Sequence, residues 1–331
     1  MSGRTTTFLR RARSIPLVIV AGAVLTVAAP LLILITLAVD SSRGRRNRFD
    51  STRLLAAGLA YLWCEIIGLV ALSVSWLITI GSRRHRSSQA FAIQRWWARS
   101  VLGAVRSIYG ISVEGTGTDA LDPPFVLVAR HSSIIDNLLP AWFISGPHRT
   151  HIRYVMKSEL LWDPCLDVAG HRLRNHFIER GKGASEEELS ALGRLAADLG
   201  ENEGLLIYPE GTRSTPDRRA AALARLRSSG GRLAEMAAQF RAVMPPKPSG
   251  LHAILESTGA EVLVMAHRGL DGLARLSDLW RGGLTGARVE VAFWRIARSQ
   301  IPSGKTEQAE WLYRLWTQID GWVTEHDPVP A

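Results

Sequence analysis

His131 and Asp136, five positions apart in the segment VARHSSIIDNLLP, place an imidazole and a carboxylate about one helical turn from each other. If a strand ends at Ala129 and a helix begins near Ser132, the histidine sits at the C-terminal edge of a strand, where α/β sheets bind their ligands. Asp136, on the first turn of that helix, can then fold back and accept a hydrogen bond from one ring nitrogen. Such a carboxylate fixes the tautomer and supports positive charge on the ring when the other nitrogen takes a proton. Neither a serine nor a cysteine is set up nearby as a nucleophile, so the pair reads as a general base acting directly on a substrate hydroxyl. The same spacing also arises where a surface histidine lies beside a helix-capping acid. Arg130-His131 partly mimics the Arg-His-Gly start of histidine phosphatases, but Ser132 stands where those need glycine for close backbone approach.

A second segment, LLIYPEGTRS (Leu205 to Ser214), suits an anion. Gly211 permits a sharp turn, the hydroxyls of Thr212 and Ser214 with backbone N–H groups can ring an oxyanion, and Arg213 can bind it through two parallel bonds. Glu210 is out of character there, and could hold Arg213 in place or contact a hydroxyl. The plain alternative is a solvated turn with a surface ion pair, worth little energy.

The elements that must position these residues alternate short β-rich runs with helical ones. Strands are expected over 111–114, 125–129, 153–156, 175–178, 204–208, 262–266 and 289–294, and helices over 133–143, 186–199, 231–241, 250–257 and 306–322. Ser185 with Glu188 makes a capping box, and Gly200 sits where that helix should stop. The alternation predicts an α/β domain with a mixed sheet flanked by helices. Trp311, Leu312, Leu315, Trp316, Ile319 and Trp322 recur at helical spacing and predict a terminal amphipathic helix that closes the core.

Ahead of this domain, Ile15 to Val39 is an apolar run of 25 residues, and Leu54 to Ile80 one of 27 carrying the single acid Glu65. Crossing the ~30 Å hydrocarbon core takes ~20 apolar residues, so both runs are long enough. They predict a transmembrane or membrane-embedded hairpin. Arginines flank both ends and fill the connecting loop, so the positive-inside rule does not orient it; a hairpin that dips into one leaflet stays open. An acid at Glu65 is expected to be partnered by the other hairpin helix or to serve a function. Residues 88–109 read as an amphipathic helix with Trp96 and Trp97, suited to a membrane interface or to packing on the domain. The expected organisation is a hairpin with basic flanks at 1–87, a connecting helix at 88–109, the catalytic domain at 110–325 and a tail at 326–331.

The 331 residues carry a formal charge of +10, and 36 of the 40 basic residues are arginine. That balance predicts attraction to an anionic surface. With no zinc-finger spacing, basic zipper or RNA-binding aromatic signature, the expected surface is a membrane leaflet and not nucleic acid. Cys64 and Cys165 form no disulfide framework, which fits a reducing, cytoplasm-facing catalytic domain. His171, His176 and Asp167 fit no metal-ligand spacing, so no metal site is expected.

Taken together, the segments resemble the glycerolipid acyltransferase family of the 1-acylglycerol-3-phosphate acyltransferase (PlsC) type. Four ordered blocks carry the likeness: His131 to Asp136, Phe177-Ile178-Glu179-Arg180, Tyr208 to Ser214, and Val243-Met244-Pro245-Pro246. The resemblance implies that His131 deprotonates a lysophospholipid hydroxyl, which attacks the thioester carbonyl of acyl-CoA or acyl-carrier protein, while Asp136 orients the base. It implies further that Arg180, Glu210, Gly211, Thr212 and Arg213 bind the acceptor's phosphate and glycerol, that Pro246 shapes the acyl-chain or acceptor site, and that neither metal nor redox cofactor takes part. The chain departs from the family where Arg130 replaces the usual asparagine and where Asn175-His176 replace a glycine-led opening. Arg130 could contact an anionic donor or a larger headgroup, or pair with an acid at the surface. The expected function is therefore a membrane-bound O-acyltransferase at the cytoplasmic face of the cell membrane, converting 1-acylglycerol-3-phosphate to phosphatidic acid. The alternatives are a different lysophospholipid or envelope-glycolipid acceptor, and a non-catalytic lipid-binding protein.

Overall fold

The computed structural model describes residues 2–42, 49–179, 185–280 and 283–325; the expected tail lies outside them. Among the described residues seven strands form one sheet in the order β1-β7-β6-β2-β5-β3-β4: β1 (Ser112–Thr116), β2 (Phe125–Ala129), β3 (His151–Lys157), β4 (His176–Ile178), β5 (Glu203–Ile207), β6 (Glu261–Arg268) and β7 (Arg288–Ile296). β7 runs antiparallel to β6 and parallel to β1, and the remaining pairs are parallel. The sheet is mixed, as the alternation predicts, and all seven expected strands are present. β2 is buried along its whole length, which its unbroken run FVLVA requires of a central strand covered on both faces.

Its alternate side chains feed two cores. Phe125, Leu127 and Ala129 face a layer built from α3 (Arg83–Tyr109) and the loop after β2. Val126 and Val128 face α5 (Glu186–Ala197), α8 (Pro248–Ser257) and α9 (Lys305–Thr324), with Trp316 fully buried as the terminal amphipathic pattern predicts. Between α5 and α8 lie α6 (Pro216–Ser229) and the short α7 (Arg232–Ala237).

The helix expected over 133–143 starts late and is irregular. From Asp136 the chain is helical, passing from a 3₁₀ turn at Asp136–Leu138 through Leu139 and Pro140 into a π turn at Ala141–Ser145. The cause is local competition for backbone groups. Asp136 Oδ2 accepts the N–H groups of Ser132 and Ser133 at 2.7 and 2.8 Å, Ile134 N–H goes to Leu273 O, and Pro140 has no N–H to give.

The N-terminal helices α1 (Ser2–Ser42) and α2 (Asp50–Ile78) are both long and apolar enough to cross a membrane. They form an antiparallel hairpin that lies along the domain and does not project from it. At one end of α2, Thr285 donates to Asp50 at 3.1 Å; midway, Tyr61 donates to Asp163 at 2.7 Å; beyond, Arg172 donates to Leu72 O at 2.9 Å. Glu65 is fully buried and accepts the Cys165 N–H at 3.1 Å, so its partner is the start of α4 (Pro164–Gly170) and not the other hairpin helix. Arg10 and Arg11 both pair with buried Asp167. The outer face keeps Leu17, Val24, Val27, Leu34, Val70 and Leu77 exposed. α3 is sandwiched between hairpin and sheet, burying Phe91, Ala98, Val101 and Leu102, so its apolar stripe packs inward.

Candidate active site

The loop after β2 presents His131 at the C-terminal edge of the sheet, with its side chain 15% exposed and that of Asp136 fully buried. His131 Nδ1 lies 3.0 Å from Asp136 Oδ2. The carboxylate accepts, so Nδ1 carries the proton and the basic lone pair sits on Nε2. The ring also rests on Tyr208, centroids 4.4 Å apart. Tyr208 belongs to the Glu-Gly-Thr-Arg segment that follows β5, and Ser214 N–H donates to His131 O at 2.8 Å. The two segments singled out in the sequence therefore form one site.

A residue the sequence did not announce completes the support of Asp136. His267, fully buried near the end of β6, places Nε2 3.5 Å from Asp136 Oδ1 and 3.1 Å from Arg130 O. Both neighbours are acceptors, so Nε2 carries a proton and Asp136 is held between two imidazoles. Burial opposes ionisation of Asp136, but His267 and the His131 hydrogen bond outweigh it and hold the carboxyl well below the usual range. Only topology brings His267 here, because β6 is hydrogen-bonded to β2.

Arg130 does not lie at the surface. Its side chain is buried, donates to His267 O at 2.7 Å and pairs with Asp271. It clamps the base loop to the end of β6.

Glu210 requires a correction. It is fully buried, with Oε2 accepting the His131 N–H and Oε1 accepting Trp316 Nε1–H, both at 3.2 Å. With both oxygens committed beneath the loop it fixes the backbone of the base and does not face an acceptor or hold Arg213. Burial pushes its pKa up to about 8, against the opposing pull of Arg130. A carboxyl whose pKa is raised on folding keeps a proton that the unfolded chain has released, so its contribution to stability falls as pH rises from the ordinary range to about 8. Glu210→Gln imitates the protonated acid. Unfolding temperatures measured across that window should therefore decline less steeply for Glu210→Gln than for the wild type; parallel declines would contradict this.

The remaining residues of the turn face outward. Gly211 adopts φ +68°, the left-handed conformation that lets the chain reverse. Arg213 is half-buried, and burial together with Arg218 holds its guanidinium below its ordinary value. Arg218, on the first turn of α6, donates to Thr212 Oγ1 at 3.3 Å. Lys157, at the end of β3, is lowered by burial and, against the raising effect of Glu159, by Arg218, Arg213 and Lys247. Four cations thus converge beside the base, three of which, Lys157, Arg218 and Lys247, the motif reading had missed. Mutual repulsion of this kind is relieved by an anion. Pro246 is buried beneath the turn, and the next residue, Lys247, donates its N–H to Pro209 O at 2.8 Å. Its loop is fixed by buried Asp320, which accepts the N–H groups of Arg241, Ala242 and Val243. Pro246 therefore shapes the turn from below. Arg180 lies outside the described residues.

On the other side of the base loop, a cavity of about 340 Å³ runs between α2, α3 and the sheet. Leu54, Ala57, Ala98, Val101, Leu138 and Met156 give it an almost wholly apolar lining, and Ile134 and Ile135 place its wall next to the base.

A family model described as Acyltransferase matches residues 110–267, a span that holds His131, Asp136, the 208–214 turn and His267. The segment is an acyltransferase-family domain. Among solved structures, the 1-acyl-sn-glycerophosphate (LPA) acyltransferase PlsC from Thermotoga maritima has a similar fold, with a TM-score of 0.57 at 16% identity over 83% of this chain and 97% of that one. At this identity the likeness is one of fold, and it extends to the PlsC-type arrangement of the sheet and its flanking helices. No curated protein matches the sequence. Within this fold His131 lies at a sheet edge, between a cluster of cations and an apolar cavity.

Proposed function

We propose that this acyltransferase moves a fatty acyl group from a thioester donor to the free hydroxyl of a phosphorylated lysolipid, with 1-acylglycerol-3-phosphate the best fit. The observation that carries the reading is the placement of His131 between the cluster of four cations and the apolar cavity. The lysophospholipid carries one terminal phosphate, and acceptor and donor each carry a long hydrocarbon chain; the two compartments match those parts. His131 Nε2 takes the hydroxyl proton as the oxygen attacks the thioester carbonyl carbon. The carbon–sulfur bond breaks, and the leaving thiolate recovers the proton from the imidazolium. Asp136 stabilises the imidazolium between the two transfers. The acyl-carrying thiol is that of CoA or of an acyl-carrier protein, and the fit with 1-acylglycerol-3-phosphate follows the substrate named for the Thermotoga maritima protein.

The location belongs to the same proposal. The contacts of α2 with the domain run from Asp50 to Leu72, about 33 Å of helix at 1.5 Å per residue. That is as long as the hydrocarbon core is thick, so a crossing α2 would drag the polar domain into the lipid. The hairpin therefore lies in one leaflet with its exposed apolar face down, which accounts for arginines at both of its ends. The catalytic domain then stays at the cytoplasmic face, where the donor is made.

Removing cations from the pocket tests the acceptor assignment. Arg213→Ala and Lys157→Ala should each raise KM for 1-acylglycerol-3-phosphate by roughly tenfold to a hundredfold, since a charge-assisted hydrogen bond contributes about 1.5–3 kcal/mol. Turnover of a phosphate-free acceptor such as monoacylglycerol should change little. An equal loss with both acceptors would remove phosphate recognition from this pocket. A glycolipid acceptor would be indicated if the wild type preferred it over every lysophospholipid offered.

A further inference from the structure

A second cavity, and a basic one, opens at the opposite edge of the sheet. The base and its cation cluster lie at the C-terminal ends of β2, β3 and β5, whereas this cleft of about 850 Å³ is lined by His151 and Glu203, the first residues of β3 and β5. Lys157 at one end of β3 and His151 at the other are separated by the length of the strand, about 20 Å at ~3.3 Å per residue. The cleft and the cation cluster are therefore distinct.

The walls come from three parts of the chain. Arg83 and Arg84 stand exposed on the first turn of α3, Arg172 and Arg174 lie in the segment after α4, and Arg153 forms part of the floor. Arg153 is committed to Asp198 and Glu203, and Arg174 to Asp198. No hydrogen bond or ion pair to a described residue accompanies Arg83 or Arg84. Arg172 donates to Leu72 O, while burial and then Arg86 and Arg11 hold it below its ordinary value. The imidazole of His151 stacks on Phe91 at 3.6 Å and closes the bottom. A wall with this much uncompensated positive charge is built for an anion.

Position identifies the kind of anion. α2 ends at Ile78, and Trp76, Leu77, Ile78 and Ile80 are 46–71% exposed immediately before Arg83. An apolar surface thus runs directly into the basic wall, the order in which a membrane lipid presents its chains and its phosphate. We propose that this cleft binds the phosphate headgroup of an anionic membrane phospholipid, apart from the catalytic centre, and fixes the pitch of the domain on the leaflet. The assignment rests on the reading that the hairpin lies in the membrane.

The test is binding of fluorescently labelled phosphatidylglycerol to the purified full-length protein in uncharged detergent micelles, with phosphatidylcholine bearing the same label as reference. The wild type should prefer phosphatidylglycerol. Each arginine near an anionic lipid contributes roughly fivefold in affinity, so Arg83→Gln/Arg84→Gln should weaken that preference about twenty-five-fold. Both side chains are exposed, so the fold is retained. Arg225→Gln/Arg227→Gln on α6 removes the same net charge elsewhere and should leave the preference intact. Equal loss in the two double variants would overturn the site, as would displacement of the labelled lipid by inorganic phosphate or CoA at concentrations that leave the labelled phosphatidylcholine bound. Failure of the wild type to take up either lipid would overturn the membrane reading itself, and the cleft assignment with it.

Discussion

Replacing His131 by alanine should reduce acyl transfer by at least 10²–10⁴-fold, the contribution of a positioned general base, while leaving the protein folded. The imidazole is partly exposed and makes one side-chain hydrogen bond, to Asp136. Its backbone ties, the N–H to Glu210 and the carbonyl to Ser214, survive truncation. The loop therefore keeps its course and loses only the group that takes the hydroxyl proton. The expected kinetic pattern is a collapse of kcat with KM for the acceptor changed little, because the cation pocket is untouched. Circular dichroism and the unfolding temperature should match those of the wild type. A variant retaining wild-type kcat would remove His131 from the chemistry.

Asp136→Asn should be nearly as damaging to activity and, unlike the histidine variant, should also destabilise the protein by about 1–3 kcal/mol. Asp136 is surrounded by donors: Oδ2 accepts from Ser132 N, Ser133 N and His131 Nδ1, and Oδ1 faces His267 Nε2. An amide has one acceptor oxygen. If that oxygen stays with the loop, the new NH₂ meets the His267 N–H; if it turns to His267, the NH₂ meets three donors. At least one buried donor–donor contact results in either case. The imidazolium also loses the charge that stabilises it, and the tautomer that exposes Nε2 is no longer fixed. His267→Leu should relax only part of this, because Oδ2 keeps its three donors. The ordering of activity expected from a common assay is wild type, then His267→Leu, then Asp136→Asn. An Asp136→Asn enzyme with normal stability and turnover would contradict the geometry.

The general form of the site was legible because its chemistry is local. His131 and Asp136 lie within one loop, and the Glu-Gly-Thr-Arg turn announces itself through Gly211 and its hydroxyls. What stayed hidden depends on topology. His267 reaches Asp136 only because β6 is bonded to β2, and Lys157 joins Arg213 only because β3 is bonded to β5. Glu210 was misread because the residues that follow it, Gly211, Thr212 and Arg213, form an open turn, whereas its own side chain is directed inward to Trp316. The start of the helix expected after His131 was delayed by Asp136 itself, whose carboxylate takes the N–H groups of Ser132 and Ser133. In the opposite direction, α6 was missed although Thr215, Pro216 and Asp217 form a helix start, with Thr215 accepting from Arg218 N. Arg130, ambiguous as a letter beside the base, becomes a buried clamp once β6 supplies Asp271 and the His267 carbonyl.

The hairpin shows the same division. Its length and apolarity were plain, but its course along the domain follows from contacts at widely separated positions: Glu65 with Cys165, Arg10 and Arg11 with Asp167, Asp50 with Thr285. Those contacts turn two segments capable of crossing a bilayer into an apolar face on one side of the catalytic domain, next to the cavity proposed to receive the acyl chain.

The most direct test of the central claim is a single-tube assay of the purified full-length protein with radiolabelled acyl-CoA or acyl-carrier protein and 1-acylglycerol-3-phosphate, run beside His131→Ala. Labelled phosphatidic acid formed by the wild type and absent from the variant is the predicted result. Equal product in both tubes, or none from the wild type with either donor, would contradict it.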